Sequence, residues 1–155
     1  MTKHTKEMEE LAKILQDWYA LEDETIKLAE EQMKKSDNSF VKVIMEMIKR
    51  DSEKHMVMQQ YAINHLTKEA TKLDQQDLIP LSDILDKHME AEAKSMGLAN
   101  MAMTKSKDFF TNFIISYLMS DEIKHHEILT RLDHIKGQLY PYGQAREERM
   151  SGARL

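Results

Sequence analysis

"SDEIKHHEIL" (120–129) sets a carboxylate, Glu122, and an imidazole, His125, three residues apart in a run with strong helical character. At 3.6 residues per turn the two lie on one side of a helix, about one turn apart. The same helix has Ile and Leu to bury, and inward polar groups are costly unless paired or bound to a metal. An earlier stretch, "RDSEKHMVM" (50–58), matches it, with Asp51 against Asp121, Lys54 against Lys124 and His55 against His125. Fifteen residues before each His stands a Phe, Phe40 or Phe110. The chain therefore reads as two similar halves.

Its 155 residues suffice for one domain with a real core. With only 4 Gly and 2 Pro, local turn chemistry is scarce and long helices are expected. The chain has no Cys, which excludes disulfides, thiolate metal sites and a Cys nucleophile, and fits a cytoplasmic protein. The net charge of −5 is spread along the chain and offers no basic face for nucleic acid. The opening "MTKHTKEMEELAK" lacks the apolar core of a signal peptide, and no apolar run is long enough to span a membrane. The 13 Met residues read as adaptable core filler rather than thioether ligands.

Apolar periodicity predicts four helices. The first runs over about 5–35, with Leu11, Ile14, Trp18, Leu21, Thr25 and Leu28 inward. "SDNS" (36–39) breaks it and caps the second, about 40–71, with Ile44, Ile48, His55, Ala62 and Leu66 inward. "KLDQQDLIPLSD" (72–83) then leads to a third over 82–104, with Leu85, His88, Glu92, Ser95, Ala99 and Ala102 on one side. The fourth, 108–136, turns Phe113, Tyr117, Asp121, His125, Ile128, Leu132 and Ile135 inward before Gly137 and Pro141 end it. Two short connections make antiparallel hairpins. About ten extended residues span roughly 33 Å, so the middle connection is long enough to cross a bundle lengthwise. The expected fold is an all-α, antiparallel four-helix bundle over 1–137 with one long crossover between helices 2 and 3, followed by a polar tail, 138–155. Up-down-up-down is the alternative topology.

On the preceding helices "LEDETIKLAEE" (21–31) sits against "MEAEAKSMGLA" (89–99), which places Glu24 opposite Glu92. The separations to His55 and His125 are then 31 and 33, a difference left to the turn. Glu22 and Glu90 read as surface charges, each two residues from a proposed ligand and open to exchange if the register slips. His126 and His134 read as solvent or partner contacts, Trp18 as a packing anchor and Tyr117 as core.

Glu on helices 1 and 3, with Glu-x-x-His on helices 2 and 4, is the di-metal carboxylate arrangement of ferritin-like bundles. Over nearly its full length the chain resembles that superfamily, and within it the rubrerythrin-like branch. The resemblance implies Glu24, His55, Glu92, Glu122 and His125 as metal ligands, with Asp51 and Asp121 as partners orienting the bound imidazoles. It departs at Ser52, where the pattern has a carboxylate; Asp51 and His88 are the residues placed to complete the site.

The donor set suits iron, with Mn as the alternative, in a paired or a mononuclear centre. The function expected from the resemblance is a metal-binding protein with oxidase or peroxidase chemistry on O₂ or peroxide. With no Cys-based electron-transfer module in the chain, an external electron donor is required. A homodimer is the candidate assembly. The alternative is a non-catalytic helical interaction or assembly protein that has lost full metal competence at Ser52.

Overall fold

The computed structural model describes residues 3–68, 72, 77 and 82–139. Four long helices make up nearly all of this: α1, Lys3–Lys35; α2, Ser39–Thr67; α3, Ser82–Lys105; and α4, Phe109–Leu139. The fold is all-α, with no strand among the described residues. No helix among them is long and apolar enough to cross a membrane. The expected crossover over 72–82 and the tail fall mostly outside the described residues.

The chain divides into two compact units, Met1–Lys72 and Leu73–Leu155. Each is a helical hairpin, α1 with α2 and α3 with α4. In the first hairpin Asn38 caps α2, its side-chain oxygen accepting from the Phe40 and Val41 N–H groups at 2.9 and 3.1 Å. Asp108 does the same for α4, accepting from the Thr111 N–H at 2.7 Å. Orphan amide groups at a helix start are thereby satisfied, and the reversal is fixed within three residues. The Thr111 N–H also holds the Asp108 carboxyl below the usual Asp range.

Contacts along each hairpin establish that its helices run in opposite directions. Lys49 donates to Glu30 at 2.6 Å, and farther from the turn His55 meets Glu22 at 3.2 Å. In the second hairpin Ser95 bonds Glu122, and farther from the turn Glu92 faces His125.

The buried seam differs from the expected one by about one residue. On α1 it contains Ala12, Glu22 and Ala29, while Leu11, Ile14, Leu21 and Leu28 are exposed and Trp18 is 53% exposed. On α2 it contains Ser52, Gln59 and Ile63, with Ile48 and His55 toward solvent. On α4 Leu129 is buried, and Phe113, His125, Ile128 and Ile135 are exposed. The expected face of α3 holds better: Leu85 and Glu92 are buried, whereas His88 and Ala102 are exposed. The reason is steric. α1 carries two parallel stripes one residue apart, and the one with Ala12 and Ala29 lets a neighbouring backbone approach closely. The bulkier stripe remains uncovered in the hairpin taken by itself.

One helix end also differs. Gly137 does not stop α4, which continues to Leu139. Gly costs a helix interior only about 1 kcal/mol, a weaker stop than the sequence suggests.

Candidate metal centre

Glu92 from α3 and Glu122 and His125 from α4 form one cluster, with a ligand atom from each within 4.8 Å of the others. Glu122 and His125 lie one turn apart on α4 and project together. Glu92 faces them across the hairpin. His125 Nδ1 lies 3.7 Å from Glu92 Oε1 and 3.7 Å from Glu122 Oε2. His88, one turn before Glu92, brings its Nε2 to 3.1 Å from the same Glu92 Oε1.

Burial is graded across the cluster. Glu92 is only 8% exposed, Glu122 is half-buried, and the His88 and His125 rings lie at the solvent edge. The Glu122 carboxyl is held below the usual Glu range, first by its hydrogen bond with Glu92, then by Ser95 and by His125; burial opposes the shift. The second oxygen of Glu92, Oε2, is buried with no hydrogen-bond partner. A buried carboxylate oxygen without a partner is costly, and a cation is what such an atom attracts.

These residues fit a metal. Ligand bonds of about 2.0–2.2 Å place opposite donor atoms at most about 4.4 Å apart and tetrahedral ones roughly 3.3–3.6 Å apart, so side-chain movements of about an ångström close the cluster. Two carboxylates and an imidazole suit Fe(II), Mn(II) or Zn(II), ions that accept oxygen and nitrogen donors.

The first hairpin is poorer. Its carboxylate opposite His55 is Glu22, not Glu24, which is exposed. The expected register was two residues out, because it left the turn to absorb a difference that does not exist. With Glu22 as the partner, 55 − 22 and 125 − 92 are both 33. Every matched position then lies 70 residues from its counterpart, from Leu15 and Leu85 through Ala29 and Ala99, Ser36 and Ser106, to His55 and His125. A gap-free alignment of the halves was the signal that identifies Glu22.

On this register Ser52 stands where Glu122 does, and it is 3% exposed, inside the seam. Asp51 accepts from Lys54 at 2.6 Å and Asp121 from Lys124 at 3.1 Å, each one turn away. Thus the structure brings Glu92, Glu122 and His125 together, adds His88 to Glu92, pairs His55 with Glu22, and leaves Glu24 on the surface. Comparison with known proteins adds nothing to this: no protein family, curated protein or solved structure matches the chain.

Proposed function

We propose that the chain is a metal-binding protein of ferritin-like type that takes up iron. The carrying observation is the Glu92–Glu122–His125 cluster with its buried, unpartnered carboxylate oxygen. Bound iron supplies one-electron redox chemistry toward O₂ or peroxide, with electrons from an external donor. The chain's own residues do the rest. Glu92 and Glu122 would hold the cation, and their negative charge would favour the ferric state. Ser95 and the Glu92 carboxyl hold the Glu122 carboxylate in position. The rings of His88 and His125 stand between the cluster and bulk water.

Metal content and stability test this. Protein purified without chelator should contain iron, and Fe(II) added to chelated protein should raise its melting temperature by mass action. Identical melts for chelated and Fe(II)-loaded protein refute the proposal.

A second reading, a helical interaction or assembly protein, is favoured by a separate observation. Each hairpin, taken alone, exposes apolar side chains at the same repeat positions: Leu28 and Leu98, Val43 and Phe113, Met58 and Ile128. Large apolar side chains exposed at recurring positions suit contacts with another protein. This reading predicts stable association and a melt indifferent to metal.

A further inference from the structure

The two hairpins are not equal as metal hosts. At the four repeat positions that matter, the second hairpin has His88, Glu92, Glu122 and His125. The first has Trp18, Glu22, Ser52 and His55. Two of the four donors are replaced there, one by an indole and one by a hydroxyl. Glu22 and His55 already pair with each other at 3.2 Å.

We propose that the second hairpin by itself builds a four-ligand site for a single divalent transition metal, with His88 as the fourth ligand, and that the first hairpin builds none. The inference rests on the metal-binding reading and narrows it to one ion in one hairpin.

Three observations carry it. His88 Nε2 and His125 Nδ1 approach the same atom, Glu92 Oε1, at 3.1 and 3.7 Å, so two imidazoles from two helices converge on one carboxylate. The other Glu92 oxygen is buried without a partner. His88 lies four residues before Glu92, so both side chains project from one face of α3 and a modest ring rotation swings Nε2 toward the cluster. Two imidazoles and two carboxylates complete a tetrahedral shell, or four positions of a six-coordinate one. On binding, each imidazole offers a nitrogen lone pair and each carboxylate an oxygen.

The test is a titration of chelated full-length protein with Co(II), read by its visible absorption, whose intensity separates four- from six-coordinate ions. One tight equivalent per chain is expected. His88→Ala should weaken it at least about tenfold, since even outer-shell partners of metal ligands are worth 10–100-fold. His55→Ala should leave it within about twofold. His88 is exposed, so its variants should fold; equal melts in chelator check this, and His88→Gln serves as a second variant. If His88→Ala and His88→Gln both bind Co(II) as the parent does, the inference falls and the metal-binding reading stands. If His55→Ala loses as much as His88→Ala, the site draws on the first hairpin and the inference again falls alone. If the parent binds no Co(II), both fall.

Discussion

Gln59 is the clearest test of the packing. It is 5% exposed on the α1–α2 seam, and both its amide nitrogen and its amide oxygen are buried without a hydrogen-bond partner. The equivalent position seventy residues on is Leu129, also buried. Gln59→Leu is therefore a substitution the protein already accepts in its other half. A buried polar group without a partner costs about 1–3 kcal/mol, and burying a Leu side chain adds a further favourable contribution. Leu and Gln are close in volume, so little is lost to repacking. A gain of about 2 kcal/mol is expected. For a chain of 150–250 residues each kcal/mol moves the midpoint by about 2–4 °C, so the melting temperature should rise by roughly 4–8 °C. Circular dichroism melts of chelated protein measure this. The reverse change, Leu129→Gln, should lower the midpoint by a similar amount. A fall in midpoint for Gln59→Leu would refute the reasoning and show that the amide has a hydrogen-bonding partner in the seam.

Other expectations use the same instruments. Glu92→Met removes a buried carboxylate, so it should raise the melting temperature of chelated protein while abolishing any rise on adding Fe(II); a lower apo midpoint contradicts the cost assigned to Oε2. Ser52→Glu places a carboxylate at a position only 3% exposed. It should destabilise the chelated protein by about 1–3 kcal/mol yet add a third donor beside Glu22 and His55, raising the Fe(II) bound per chain. Unchanged stoichiometry would show that the first hairpin cannot be repaired at that position. Asp108 has a folded-state pKa below its unfolded value, so its contribution is present above about pH 4 and lost as pH falls through the folded value. Asp108→Asn keeps a capping oxygen but does not titrate there. The gap in melting temperature between parent and variant should therefore shrink below about pH 4, and a constant gap down to pH 2 contradicts this.

The helices and their reversals were legible because their signals are local. The cap in "SDNS" (36–39) and long apolar periods need no knowledge of neighbours. Which stripe faces the hairpin partner was not local. Leu11, Ile14, Trp18 and Leu21 outweigh Ala12 and Ala29 in hydrophobicity, yet small residues set how closely two backbones approach. The same rotation explains Ser52, which reads as a missing ligand and proves also to be a seam residue. That Glu92, Glu122 and His125 lie together was legible because a Glu-x-x-His spacing and an opposing acid suffice to bring them close. Glu24 was mistaken for Glu22 because neighbouring acids on one helix look alike until the repeat is held to a constant spacing.

The three-residue capped reversals carry a kinetic consequence. Contacts next to Asn38 or Asp108 close loops of only a few residues, so each hairpin can form outward from its reversal without waiting for distant chain. During synthesis the first hairpin is complete once residue 68 or so has emerged, before any residue of the Glu92–Glu122–His125 cluster has left the ribosome. The cluster itself lies well along the second hairpin, with Glu92 and His125 separated by 33 residues. Its donors therefore meet late, on a scaffold already half built. The exposed apolar side chains of the first hairpin meet water as soon as it forms, and a nascent chain in that state is open to capture by chaperones or by another copy of itself.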